Sequence, residues 1–325
     1  MGDPIGIGPE VCVKILSQGL IACDVALTVI GSLPLLRHTA DRMGLSAPLE
    51  PVDVPLSEPG RCGVLDLDNF SPDHLPEDPG PTARSGQASV ECIEWAVREI
   101  LDGRADAMIT SPISKKAIGL AGSPHPGHTE MLGDLTDTPH PVMLLTNGPL
   151  RVAFATTHLP LSDISRALST EVIAHTGVTL GEALRRYFGV GEPHVVLCAL
   201  NPHSGDGGRF GDEEERLIQP AIAEIRRQGV DASGPFPSDT LFARVAKGDF
   251  DGVVAMYHDQ GMIPIKLSGL GVVVNATLDL PIIRTSPGHG TAYDIAGSGN
   301  ADPASTRAAI RTAARMVRSD RRSAG

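Results

Sequence analysis

The residues Val253-Val-Ala-Met-Tyr-His-Asp-Gln-Gly-Met-Ile-Pro-Ile-Lys266 decide how this chain is read. Val253–Met256 is a short apolar run of the kind that forms a buried strand, and it stops at His258-Asp259-Gln260-Gly261. Glycine takes backbone angles closed to other residues, so Gly261 predicts a sharp turn. Lys266, eight residues past His258, is then far enough along to return to the same mouth. Polar groups at the end of a buried strand in an α/β protein sit where ligands bind. A strand, a turn and a satisfied histidine is the plainer alternative, and this stretch alone does not separate the two.

Working outward, the arrangement recurs twice. Arg151–Thr156 reads as a strand that runs into Thr157-His158-Leu159-Pro160, and His194–Leu197 as one that runs into Asn201-Pro202-His203-Ser204. His158, His203 and His258 are separated by 45 and 55 residues, so only a tertiary fold could unite them. Three imidazoles with one open position are a common catalytic zinc arrangement, and such a site polarises a substrate oxygen. Three unrelated loop histidines among the 11 in the chain fit the spacing as well. No His-x-x-x-His shorthand decides between them.

The rest of the chain alternates strand and helix, which predicts an α/β fold. Strands are expected over Asp24–Ile30, Gly63–Leu67, Ala107–Thr110, Val142–Leu145, Val272–Leu278 and Ile282–Arg284. Helices are expected over Leu33–Met43, Ser85–Asp102, Thr170–Tyr187, Glu213–Gln228 and Pro303–Arg318, with His175 structural. Pro9 suits the first turn of a helix reaching about Leu16. The Gly6-Ile-Gly8 before it lacks the third glycine and the preceding strand of a dinucleotide fingerprint. Asn147-Gly148 predicts a tight hairpin. Ser111-Pro-Ile-Ser-Lys115 again sets polar groups at a strand's end. Ser123–Glu130 reads as a rigid polar loop, either an exposed connection or a substrate-binding one.

Composition narrows the function. A chain of 325 residues supports one large or two moderate domains. A net charge of −12 argues against nucleic acid as the main partner, since a phosphate backbone needs a basic face. No run of about 20 apolar residues is present to span a membrane, and the N-terminus carries no signal core, so a cytoplasmic protein is expected. Five scattered cysteines without a Cys-x-x-Cys pair predict packed, reduced thiols. Only five of the 27 basic residues are lysine. Lys115 and Lys266 stand beside polar loops, where an amine that can release its proton has a use arginine lacks; Lys14, Lys116 and Lys247 read as surface.

From Met1-Gly-Asp-Pro-Ile-Gly-Ile-Gly-Pro-Glu10 to His289-Gly-Thr-Ala-Tyr-Asp294, the chain resembles the 4-hydroxythreonine-4-phosphate dehydrogenase family. The motifs SPISK, GHTE, THLPL, NPHSGDGGRFGDEE, SDT, MYHDQGMIPIKL and LPIIRTS occur in the family's order and cover essentially the whole chain. The resemblance implies a two-domain isocitrate/isopropylmalate dehydrogenase-like α/β fold rather than a standard Rossmann fold. Its active site would lie in the cleft between a cofactor-side domain (1–127 plus 277–325) and a metal, substrate and dimerisation domain (128–276).

The same resemblance implies one divalent ion (zinc, magnesium or cobalt) held by His158 and His203 of one chain and His258 of the partner subunit, in an obligate homodimer with shared sites. It implies substrate contacts from His128, Thr129, Lys115, Lys266, Asn275 and Arg284. It also implies an NAD or NADP loop at Gly288, His289, Gly290, Thr291, Ala292, Asp294 and Asn300. Arg284 offers a planar fork to a carboxylate or phosphate. Lys266 is a charge partner, or a proton acceptor if burial lowers its pKa. Asp239 orients a ligand in catalysis or caps a helix.

The implied reaction is NAD-linked oxidation of a small phosphorylated hydroxy acid, foremost 4-phosphooxy-L-threonine. The resulting 3-oxo acid would lose carbon dioxide to give 3-amino-2-oxopropyl phosphate, in pyridoxal phosphate biosynthesis. Relatives acting on 4-phospho-D-threonate, 4-phospho-D-erythronate or aromatic cis-dihydrodiols share most of the motifs. A metal-dependent hydrolase or lyase on the same histidines is the rival from another class. Three positions depart from the family pattern: Met1 directly abuts the Gly-Asp-Pro motif, Pro287-Gly288 stand where Val-Asp is usual, and Asp279 replaces a glycine.

Overall fold

Two compact units divide the chain in a computed structural model that describes residues 1–19, 24–268 and 272–323. The first unit comprises Met1–Pro141 and Leu280–Ala314, the second Val142–Asp279 and Arg315–Gly325. Among the described residues no helix is long and apolar enough to cross a membrane. Cys12, Cys92 and Cys198 are buried free thiols and Cys62 is half-buried; Cys23 lies outside the described residues.

In the first unit, α1 (Gly8–Ser17), β1 (Leu27–Gly31), α2 (Leu33–Met43), β2 (Cys62–Asp66), α3 (Ala83–Leu101), β3 (Ala107–Ile109), α4 (Lys115–Leu120) and α5 (His128–Leu135) follow in order. Local chemistry sets the ends of these elements. Ser32 accepts from the Leu35 amide at the start of α2, and Gly44 ends that helix in the left-handed conformation. Thr82 and Ser85 form a reciprocal capping pair on α3. Strands β1 and β2 pair in parallel. Leu35, Leu36, Val13 and Val64 form the core between that pair and the α1–α2 layer.

The second unit contains β4 (Val142–Asn147), β5 (Leu150–Phe154), α6 (Leu161–Ala167), α7 (Thr170–Phe188), β6 (His194–Cys198), α8 (Gln219–Arg227), β7 (Asp231–Phe236), α9 (Ser238–Ala246), β8 (Gly252–Ala255), α10 (His258–Leu267) and β9 (Val274–Leu278). Its strands lie in the order β9-β4-β5-β8-β6-β7. The β4–β5 hairpin is antiparallel, with Gly148 at φ 59° in its turn. Strands β5, β8, β6 and β7 are parallel neighbours. The chain closes with β10 (Ile283–Pro287), parallel to β3, and α11 (Ala304–Ser323).

Several sequence expectations are corrected. The segment after His258 is the helix α10 and contains no turn, with Gly261 and Pro264 inside it. Gly261 answers a packing need: a Cβ there would lie 2.6 Å from Phe154 Cε1 and 2.8 Å from Val152 Cγ1, so α10 presses on β5 where only glycine fits. The polar stretch expected as a loop up to Glu130 turns helical at His128, and Lys115 opens α4 behind the cap Ser114. The helix expected from Glu213 starts as a π-helical turn over Glu214–Ile218 before α8. Asp239 is no cap, because Pro237 holds the cap position, makes no side-chain cap bond, and leaves Asp239 inside the first turn of α9. Asp279 takes φ 69°, a left-handed angle that accounts for the glycine usual in the family pattern. Its carboxylate lies 3.4 Å from His175 Nε2.

Candidate active site

Strands β5, β8 and β6 end at one level, with Phe154 beside Ala255 and Leu197 beside Val254. Their carboxyl ends open on the same edge of the sheet, where open α/β sheets bind ligands. His158 follows β5, His258 follows β8 and His203 follows β6. Strand order thus draws three histidine segments, far apart in sequence, onto neighbouring strand ends about 5 Å apart.

His258 opens α10, and its Nδ1 lies 2.6 Å from Asp259 Oδ1. A carboxylate oxygen accepts, so Nδ1 is the donor in this contact and Nε2 is the ring nitrogen left to face a ligand. The His258 ring centroid lies 5.8 Å from that of His158 and 6.4 Å from that of Phe154. Buried Gln260 braces the strand ends. Its Nε2 donates to Ala199 O (2.6 Å) and Ser238 Oγ (2.9 Å), and its Oε1 accepts from the Met256 amide (2.7 Å). Thr156 Oγ1 donates to Met256 O at 2.7 Å, tying β5 to β8.

His203 is exposed, in a turn where His203 (φ 55°), Ser204 (φ 54°) and Gly205 (φ 80°) are all left-handed. That conformation costs about 1–2 kcal/mol per non-glycine residue. Within one chain the structure brings His158 to His258. Among the described residues no group of three or more His, Cys, Asp or Glu side chains is set to hold a metal ion. The donors fit a divalent ion nonetheless: metal-binding histidines commonly rest their second nitrogen on a carboxylate, as His258 does on Asp259.

Asp239 is exposed in the first turn of α9. Lys266 is exposed on α10, about 12 Å along the helix axis from His258. The burial that a proton-acceptor role required is therefore absent from the single chain. Asn275 lies half-buried on β9, with Oδ1 enclosed and no hydrogen-bond partner for it among the described residues.

In the first unit, Arg284 on β10 is buried, and its Nε and Nη2 both reach Thr110 Oγ1, at 3.0 and 2.7 Å. Burial lowers the Arg284 pKa to about 10, which leaves it charged at neutral pH. His128, at the start of α5, has an enclosed Nε2 with no hydrogen-bond partner among the described residues. Burial, then the Arg284 charge, hold its pKa well below the ordinary imidazole value, so the ring is neutral. Thr129 is half-buried in the same turn and Lys115 is exposed. A Cβ on Gly127 would lie 3.6 Å from Lys115 Cε, so the Lys115 stem runs past the start of α5. Arg284 lies near enough for its charge to act on the His128 ring, and the Lys115 stem passes the helix start that carries His128.

The 288–300 loop is fastened to the N-terminal segment. Tyr293 Oη donates to Asp3 Oδ2 (2.7 Å), the Ile7 amide to Thr291 O (3.0 Å), and Lys14 Nζ to Gly299 O and Ala301 O (2.7 and 2.6 Å). Lys14 is therefore a structural clamp and no surface lysine. Burial raises the Asp3 pKa, against its hydrogen bond from Tyr293. On this frame Gly288, His289, Gly290, Asp294 and Asn300 are exposed and Thr291 and Ala292 half-buried. His289, Asp294 and Asn300 are the exposed polar side chains of this loop among those named from the sequence. Sequence reasoning missed Thr110, Gln260 and Lys14; Thr110 was findable, since it closes the predicted strand before SPISK.

Fold and site define an α/β enzyme of the dehydrogenase class, as comparison with solved structures bears out. A crystal structure of 4-hydroxythreonine-4-phosphate dehydrogenase from Klebsiella pneumoniae superposes with a TM-score of 0.88 at 39% identity, covering 98% of this chain and 96% of that one. A terephthalate 1,2-cis-dihydrodiol dehydrogenase from Burkholderia xenovorans superposes at 0.67 with 29% identity, covering 96% and 95%. The curated 4-hydroxythreonine-4-phosphate dehydrogenase of Geobacter metallireducens is 44% identical over 322 residues, 98% of this chain and 94% of its own length. Residues 24–313 match the family described as pyridoxal phosphate biosynthetic protein PdxA, and the chain belongs to that family.

Proposed function

We propose that this chain oxidises 4-phosphooxy-L-threonine with NAD, giving a 3-oxo acid that loses carbon dioxide to form 3-amino-2-oxopropyl phosphate. The geometric observation that carries the reading is that β5 and β6, whose ends bear His158 and His203, open on the same edge of one sheet. Near full-length similarity to enzymes named for this substrate supports it.

The Arg284–His128 region takes the charged groups of the substrate. Arg284, oriented by Thr110, supplies a planar fork, and neutral His128 donates or accepts a hydrogen bond without adding charge. Thr129, Lys115 and Asn275 add polar contacts, and Lys266 acts as a charge partner. His158 and His203 of one chain, with His258 of the partner subunit, would hold the divalent ion. Asp239 assists from α9 as an orienting group. When bound, the ion supplies Lewis-acid polarisation and the dinucleotide accepts the hydride. Residues 288–300 hold the nucleotide.

Exposed apolar side chains flank each histidine: Leu159 and Leu161 after His158, Phe210 after His203, and Ile263 and Leu267 after His258. Apolar surface of that kind is covered in assembled proteins, which supports a homodimer. Buried free thiols at Cys12, Cys92 and Cys198 support a reducing, cytoplasmic setting.

The test is NADH formation from phosphorylated four-carbon acids and an aromatic cis-dihydrodiol, with and without chelator. The proposal expects 4-phosphooxy-L-threonine to turn over best, chelator to abolish the signal, and His203→Ala to be inactive but folded. Better turnover of 4-phosphothreonate, 4-phosphoerythronate or the dihydrodiol would reassign the substrate. Turnover without NAD would point to a hydrolase or lyase.

A further inference from the structure

Six successive residues with positive φ, His203 to Gly208, need something to hold them, and the structure shows a carboxylate pair at their root. Glu214 is buried. Its Oε1 accepts from the amides of Leu200 (2.8 Å) and Asn201 (2.7 Å), and its Oε2 accepts from Asn201 Nδ2 (3.0 Å). Glu213 accepts from the same Asn201 Nδ2 at 2.7 Å through Oε2, while its Oε1 accepts from Ser165 Oγ at 2.6 Å. Ser165 lies on α6, the helix that follows His158.

The turn itself closes on this pair. A Cβ on Gly205 would lie 2.9 Å from Glu214 Oε2, and one on Gly211 would lie 2.5 Å from Asn201 Nδ2 and 2.6 Å from Glu213 Oε2. Only glycines let the backbone fold down on the carboxylates. The amides of Gly208 and Phe210 then bond Gly205 O at 3.0 and 3.1 Å, completing the turn that carries the His203 ring.

We infer that Glu214 is the positioning residue for His203, and that Glu213 sets the His203 turn against the His158 side by bridging Asn201 to Ser165. Neither carboxylate ligates the ion. Both are engaged by backbone and amide donors, and they act by pre-setting the imidazole. The inference rests on the reading of His203 as a metal ligand.

The experiment is a zinc titration of the chelator-stripped, full-length protein in competition with a chromophoric chelator, alongside thermal unfolding of the metal-free form. Residues that orient a ligand typically cost 10–100-fold in metal affinity when removed. Glu214→Ala is expected to weaken zinc binding by about that factor. Glu214→Gln, which keeps one oxygen for the two amides but faces Asn201 Nδ2 with a donor, should recover part of the loss. Hydrogen exchange should quicken over residues 200–211 in Glu214→Ala. Wild-type zinc affinity in folded Glu214→Ala overturns the inference, even if the melting point drops, since that is the pattern of a merely structural carboxylate. His203→Ala is the reference: if it too binds zinc like wild type, the metal reading fails and takes this inference with it. If His203→Ala loses zinc while Glu214→Ala and Glu214→Gln do not, only the positioning role falls.

Discussion

Arg284 places two of its nitrogens, Nε and Nη2, on the single hydroxyl oxygen of Thr110. The hydroxyl oxygen has two lone pairs, so one small side chain holds two nitrogens of the buried guanidinium and helps set its plane. Thr110 adds no charge that would compete with an anionic ligand. Thr110→Val keeps the shape and removes the acceptor. Leaving a buried charged donor short of a partner should destabilise the fold by about 1–3 kcal/mol. Steady-state kinetics should show KM for the phosphorylated substrate rising about tenfold, equivalent to about 1.4 kcal/mol of binding, with a smaller change in kcat. An unchanged KM would dissociate Thr110 from substrate binding.

Gly261→Ala separates packing from propensity. Alanine favours a helix interior over glycine by about 1 kcal/mol, but here the new methyl would meet Phe154 and Val152 below 3 Å. Overpacking of a tight core contact typically costs about 1–3 kcal/mol. The variant should therefore be less stable in urea unfolding. A gain in stability would show that α10 has room to move off β5.

Asp279 and His175 give a second test of backbone strain. Asp279→Gly relieves a left-handed angle worth about 1 kcal/mol and loses the exposed Asp279–His175 contact, worth about 0–1 kcal/mol. Asp279→Ala loses the pair and keeps the strain. The glycine variant should be the more stable of the two by roughly 1 kcal/mol in urea unfolding. Equal stabilities would mean the angle is not strained.

His128 predicts a pH dependence of known sign. Its folded pKa lies well below the unfolded value of 6.5, chiefly through burial. Above pH 6.5 both states are neutral at this residue and it contributes nothing. As the pH falls below that value the unfolded chain binds a proton that the folded chain does not, so stability declines. His128→Gln should flatten the stability profile between about pH 6.5 and 5. Identical slopes for the two proteins would show that His128 is not held neutral.

Much of the local structure was legible in the residues. Leu33–Met43 is a helix over the range its pattern predicts, because Ser32 and Gly44 mark its ends with side-chain and backbone chemistry that needs no distant partner. The Thr170 start and the three histidines at strand ends were readable for the same reason. The 258–267 segment was not. Its glycine and proline signal a turn by local rules, and the helix exists because Gly261 fits against β5.

The sequence by itself determined the alternation of strands and helices, the placing of His158, His203 and His258 just past apolar runs, and the kinship of the motifs. Local periodicity and capping express themselves within a turn or two of chain. Only the tertiary structure decided that β8 lies between β5 and β6, that Thr110 orients Arg284, that Lys14 clamps the 299–301 backbone, and that Glu214 supports the His203 turn. Strand order and buried hydrogen bonds join residues scores of positions apart, and the burial that makes them favourable exists only once the whole unit has closed.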